Sequence, residues 1–271
     1  MGILNVTPDS FSDGGRHSTA DSAVEAGRQM VVDGAAIIDV GGESTRPGAS
    51  PVSVGTEIER VVPVVERLVG DGILVSVDTS KPDVADAAIN SGAVVINDVT
   101  GLTNARMRSV CAEAGVGVVI MHMAGTPRTM QQHPRYDDVV AEVSAYLAER
   151  AAVAVQAGIS RDSIVIDPGI GFGKAIEHSI ELMAHLDVFA DSGYPVLLGA
   201  SRKAFLGKIL EPIRGTTSPD ERDGATAATI ALAVASGVQI LRVHNVPLAV
   251  DVAHTAKGMV RQDHGEETNR T

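Results

Sequence analysis

Short apolar runs alternate with longer stretches of helical periodicity from the first residue almost to the last. A short run bounded by Gly, Asn or Asp fits a strand covered on both faces, and apolar positions three and four apart fit a helix with one buried stripe. The pattern predicts strands over 2–6, 36–40, 74–78, 94–97, 116–122, 163–167, 195–200 and 240–244, and helices over 21–32, 56–69, 82–90, 104–114, 137–157, 176–191, 222–235 and 247–260. Gly34, Gly92, Gly115, Gly158, Gly193 and Gly237 follow helices, where a left-handed residue ends the helix before the next strand. Eight such units predict an α/β chain forming a single (β/α)8 barrel, one domain over 1–271, with 262–271 a frayed polar tail. An open doubly wound sheet is the alternative, but no G-x-G-x-x-G follows the first strand, and Gly169, Gly171 and Gly173 have the wrong spacing for that fingerprint. The first strand begins almost at Met1 and leaves nothing to cover the closed end of a barrel, as expected of a chain whose start is short.

Composition sharpens this picture. Hydrophobic residues make up 44% and aromatics 3%, so the core must be built from Val, Ile, Leu and Ala. No run reaches the roughly 18 apolar residues of a membrane span, and the start lacks a basic secretory leader, so a cytoplasmic location is expected. The single cysteine, Cys111, reads as a small buried hydrophobe on a helix. Acidic residues outnumber Lys and Arg by 34 to 22, a formal charge of −12, which argues against a nucleic-acid surface. An acidic protein that takes anionic substrates must gather its cations in one place.

Polar residues stand at nearly every predicted strand end: Asn5, Asp39, Asp78, Asn97 with Asp98, His122, Asp167, Ser201 with Arg202 and Lys203, and Arg242 with His244. Barrel active sites are built at these ends. Each residue alone could be a cap or turn former, the favoured reading of a lone Asp, but the set converges on one rim. The longest loops, 7–19 and 41–54, are rich in Gly, Pro, Ser and Asp, and Asp9, Asp13 and Arg46 are placed to close over a ligand. No H-E-x-x-H or paired cysteine offers a zinc site, and His178 and His185 read as solvated helix positions.

The blocks MGILNVTPDSFSDGG at the start, GGESTRPGA at 41–49, SVDTSKP at 76–82, INDVTG at 96–101, DPGIGFGK at 167–174, GASRKAFLG at 199–207 and RVHNV at 242–246 resemble, in order, the signature of the dihydropteroate synthases, pterin-binding barrels. The resemblance implies displacement of pyrophosphate from 6-hydroxymethyl-7,8-dihydropterin diphosphate by the amine of p-aminobenzoate, in folate biosynthesis. Implied for the pterin are Asp78, Asn97, Asp167, Phe172, Lys203 and Arg242, with Val99 and Ile120 as further apolar walls. A carboxylate at Asp167 suits the donor edge of the ring, and the amide and ammonium of Asn97 and Lys203 suit its acceptors. Implied for the diphosphate are Asn5, Thr45, Arg46, Arg242 and His244, with Mg2+ on Asn5. Implied for p-aminobenzoate are Phe11, Thr45, Pro47, Ser201 and Lys203, and this pocket implies a sulfonamide target. Asp78, Lys203 and Asp13 are the implied catalytic groups, Asp9 helping Asp13 to order the closed loop. Bond breaking is expected to lead amine attack, with stabilisation of charge as the main device.

The resemblance also implies a homodimer through the last helices, although the apolar face of 225–235 fits packing on the barrel equally well, and no nucleic-acid or membrane partner is expected. The rivals are a pterin-dependent methyltransferase, which has no use for Arg46, the SRK block or the RVH block, and a non-catalytic or sulfonamide-insensitive paralogue.

Overall fold

Eight parallel strands alternate with helices in a computed structural model that describes residues 1–6, 16–44, 51–126, 129–132 and 134–260. The order is β1 (Gly2–Asn5), α1 (Arg16–Val32), β2 (Ile38–Gly41), α2 (Val54–Gly70), β3 (Val75–Asp78), α3 (Pro82–Asn90), β4 (Val95–Asp98), α4 (Ala105–Ala114), β5 (Gly117–Met121), α5 (Val139–Gln156) and β6 (Ile164–Asp167). It continues with α6 (Ile176–Ala184), α7 (Leu186–Ala190), β7 (Leu197–Leu198), α8 (Ala204–Arg214), α9 (Asp223–Ala235), β8 (Ile240–Leu241) and α10 (Val246–Met259).

Strands β1 to β6 pair in sequence order, and β7 pairs with β8. Two parallel bridges, Ile166 to Val196 and Gly2 to Val243, join these groups. The Ile3 N–H donates to Val243 O at 2.9 Å and the Val243 N–H to Met1 O at 3.0 Å, so the eight strands close into the expected barrel. Closure leaves no strand edge unpaired.

Several helices start on a side-chain cap: Ser53 accepts from Thr56 N, Asn104 from Arg106 N, Asp138 from Ala141 N and Asn245 from Leu248 N. All six glycines expected to end helices have positive φ, from 67° at Gly115 to 103° at Gly34. Two helical features differ from expectation. The 176–191 helix breaks at His185 into α6 and α7, and α8 lies where no helix is named, because its start is read as part of the GASRKAFLG block.

The pleat decides where the core lies. Residues alternate between the two faces of a strand, and in a parallel pair registered partners share a face. Asn5, Gly41, Asp78, Asn97 and Val119 stand in one row across β1 to β5, with Asp39 and Ser76 in the row below, and all face the barrel interior. The alternate residues Leu4, Ile38, Val40, Val77, Ile96, Val118, Ile120, Ile164 and Ile166 join the buried apolar core. The oily layer therefore lies between strands and helices, while one side of the barrel interior is polar. Ile120 is corrected by this register: it is fully buried toward the helices, and Val119 and Met121 are the β5 residues that face inward. Cys111 is a buried α4 core residue, as expected, with its thiol pushed up to about 12 by burial.

Candidate active site

The polar side of the barrel is organised around Arg242, which follows β8. Its Nε donates to Asp39 Oδ2 at 2.6 Å and its Nη2 to Asp78 Oδ2 at 2.9 Å. The Asn97 amide also donates to Asp39 Oδ2, at 3.1 Å. Residues from β2, β3, β4 and the end of β8 thus meet in one buried cluster. Two carboxylates share a single guanidinium, and the second oxygen of each, Asp39 Oδ1 and Asp78 Oδ1, is buried with no hydrogen-bond partner among the described residues. Burial pushes the Asp78 carboxyl up to about 7, against the pull of Arg242. Burial opposes the charge on Arg242, but Asp39 and Asp78 hold it above its ordinary value.

A second group faces this one from β6 and β7. Asp167 ends β6, and its Oδ1 accepts the Gly169 N–H at 2.7 Å. That is the turn cap expected of a lone Asp, yet it uses one oxygen; Oδ2 faces Gly199, where a Cβ would lie 4.0 Å away. Burial raises the Asp167 carboxyl, opposed first by Lys203. The Lys203 ammonium, from the turn after β7, donates to Ile170 O and lies 4.3 Å from the centre of the Phe172 ring. Burial lowers its pKa to about 8, opposed by Asp167 and, more weakly, Asp78. Lys203 is near enough to Asp167, Arg242 and Asp78 to feel their charges, and Asn97 joins the same rim through Asp39. Beside them Ser201 Oγ lies 3.0 Å from His244 Nδ1 and accepts the His244 N–H at 3.2 Å, joining the turns after β7 and β8.

Asn5 ends β1 in the same inward row, its Oδ1 and the Asp78 Cβ each 3.7 Å from a Cβ placed on Gly41. No group of three or more His, Cys, Asp or Glu side chains is arranged around a metal position among the described residues.

Some expected members lie elsewhere. Arg202, at φ 59°, turns away from the mouth and pairs with Asp220 and Asp223. Asp98 folds back to accept from Thr100 and Leu102. His178 is half-buried, not solvated: it accepts the Ala175 N–H at 3.1 Å and meets the Tyr136 ring edge-on. His185 is exposed, as expected. Asp9, Phe11, Asp13, Thr45, Arg46 and Pro47 lie outside the described residues.

Sequence reasoning missed a further buried pair. Lys174 Nζ lies 2.8 Å from His122 Nδ1 and donates to Phe172 O at 3.0 Å. Burial drives both groups toward neutrality, Lys174 to about 7 and His122 to about 3. Lys174 closes the DPGIGFGK block, so the signal was a lysine fixed at the end of a glycine-rich turn beside a strand-end histidine.

A family model described as pterin binding enzyme matches residues 1–244. The chain is 49% identical to the dihydropteroate synthase of Mycobacterium leprae over 255 residues, covering 93% of this chain and 89% of the relative. Its fold is similar to a Xanthomonas albilineans dihydropteroate synthase solved with 4-aminobenzoic acid, at TM-score 0.88 and 45% identity, covering 95% of this chain and 91% of that one. It is equally similar, at TM-score 0.88 and 41% identity, to the Yersinia pestis enzyme solved as a sulfonamide drug complex, covering 95% of this chain and 92% of that one. These likenesses run through nearly the whole barrel, including the strand ends that gather Asp39, Asp78, Asn97, Asp167 and Arg242. The chain belongs to the dihydropteroate synthase family.

Proposed function

We propose that this barrel condenses 6-hydroxymethyl-7,8-dihydropterin diphosphate with p-aminobenzoate and releases pyrophosphate. The observation that carries this is the under-bonded carboxylate pair at the mouth, Asp39 and Asp78 around one guanidinium, beside an amide, an ammonium and a third carboxylate. A pterin presents donors on one edge and acceptors on the other, and this group supplies the complement of both.

Asp167 receives the donor edge, Asp78 offers its second oxygen to a further ring N–H, Asn97 and Lys203 bind the acceptors, and Arg242 lies along the ring face opposite Phe172. Ser201 and Lys203 receive the carboxylate of p-aminobenzoate, with Phe11, Thr45 and Pro47 packing on its ring. Sulfonamides compete there. Thr45, Arg46, Arg242 and His244 bind the diphosphate. Asp78 stabilises positive charge that develops on the pterin methylene as the C–O bond to the diphosphate breaks; the amine nitrogen then forms the new C–N bond and loses its proton. Asp9 and Asp13 order the closing loop.

Mg2+ keeps most of its waters and takes few protein ligands, so a single amide oxygen at Asn5, on the inward row beside Asp78, suits it. Its contribution when bound is to neutralise the departing diphosphate. No helix among the described residues is long and apolar enough to cross a membrane, and soluble charged substrates fit a cytoplasmic enzyme. An apolar groove of about 600 Å3 between α9 and α10, lined by Ala231, Ala235, Val252, Ala256 and Met259, supports a homodimer through these helices.

The test is pyrophosphate release from the pterin diphosphate. Release that requires p-aminobenzoate and yields dihydropteroate supports the synthase; methyl transfer to a corrinoid, or pterin binding without release, supports a rival.

A further inference from the structure

The turn between β6 and α6 holds its shape from outside. Gly169, Gly171 and Gly173 have φ of 66°, 77° and 61°, so every second residue reverses the chain; the Phe172 N–H donates to Gly169 O at 3.0 Å, but the next four carbonyls have no such backbone partners among the described residues. Side chains supply them instead. Lys203 donates to Ile170 O, Gln131 Nε2 to Gly171 O at 2.6 Å, Lys174 to Phe172 O at 3.0 Å and the Tyr136 hydroxyl to Gly173 O at 2.8 Å.

Gln131 and Tyr136 come from the connection between β5 and α5, to which the function above gives no role. That connection also touches the turn through backbone: a Cβ on Gly169 would lie 1.9 Å from His122 O, and one on Gly173 would lie 2.5 Å from Ala124 O. Tyr136 is itself held edge-on by His178, with ring centres 4.9 Å apart. The described residues Gln131, Tyr136, His122 and Ala124 are therefore packed and bonded against the turn, which carries Phe172 and follows directly on Asp167.

We propose that Tyr136 and Gln131 are positioning residues for the pterin: by holding the Gly171 and Gly173 carbonyls they fix Asp167 and Phe172, so the β5–α5 connection sets pterin affinity without touching the ring. This rests on the pterin-binding role given above to Asp167. Tyr136→Phe keeps the ring against His178 and removes one donor, and Gln131→Ala removes the other.

Calorimetric titration with 6-hydroxymethyl-7,8-dihydropterin diphosphate is expected to show each variant binding about three- to tenfold more weakly, with KM for p-aminobenzoate and kcat within about twofold of wild type. Unchanged pterin affinity in both variants, or equal losses for the two substrates, would overturn the proposal. Asp167→Asn serves as the control. Wild-type pterin binding in that variant removes the underlying site assignment, whereas weakened binding there with no change in Tyr136→Phe and Gln131→Ala removes the positioning role alone.

Discussion

Two ionic clusters sit side by side at the ends of β2 and β3 and differ in how fully they are bonded. Lys81 donates to Glu43 at 2.5 Å, to Glu57 at 2.5 Å and to Val52 O at 2.9 Å, while Thr79 gives its hydroxyl to the other Glu57 oxygen at 2.7 Å. All three ammonium protons and both oxygens of the buried Glu57 are used. In the neighbouring cluster, Arg242 serves two buried carboxylates, and Asp39 Oδ1 and Asp78 Oδ1 have no partner among the described residues. A satisfied buried network holds structure together, whereas an unsatisfied one carries a standing cost that a ligand with the right donors can relieve. The contrast assigns the first cluster to the frame and the second to binding.

Arg242→Met breaks the comparison most severely, because it leaves two buried carboxylates facing each other without a counter-charge. Denaturant titration is expected to show a loss of about 3–5 kcal/mol in stability, together with loss of turnover. Asp78→Ala separates binding from frame: kcat/KM should fall about 100- to 1000-fold while the melting temperature stays within a few degrees of wild type. Wild-type turnover there would remove Asp78 from the chemistry. Glu57→Gln is the reverse case, expected to lower stability by about 1–3 kcal/mol and to leave calorimetric pterin affinity unchanged.

The same cluster also gives a pH slope. Burial holds Asp78 near about 7 in the folded chain against its ordinary 3.8, so between these values the folded state binds the extra proton. Unfolding free energy contributed by this group therefore falls as pH rises from about 4 to about 7, and is level outside that window. Asp78→Asn should lack this component in urea titrations across the range; an unchanged slope would show that another group is responsible.

The barrel was legible because its signals are local. Apolar runs, capping residues and the six helix-ending glycines each report on their own neighbourhood, and strand-end polar residues followed from the fold. What failed needed a register or a distant partner. Ile120 was one residue from the inward-facing Val119 and Met121, and a period-two strand turns that slip into the opposite face. Arg202 and Lys203 are adjacent, but Arg202 has positive φ, which sends it to Asp220 and Asp223, and nothing in its sequence block marks that turn. The Lys174–His122 pair spans 52 positions and becomes visible when β5 and β6 are side by side.

The most direct measurement is a crystal structure with the pterin diphosphate bound. The account predicts the ring between Phe172 and Arg242, with its 2-amino and N3 groups donating to Asp167 and its acceptors bonded to Asn97 and Lys203. A pterin seated elsewhere, with Asp78 and Asp167 bonded only to the groups they already hold, would contradict it.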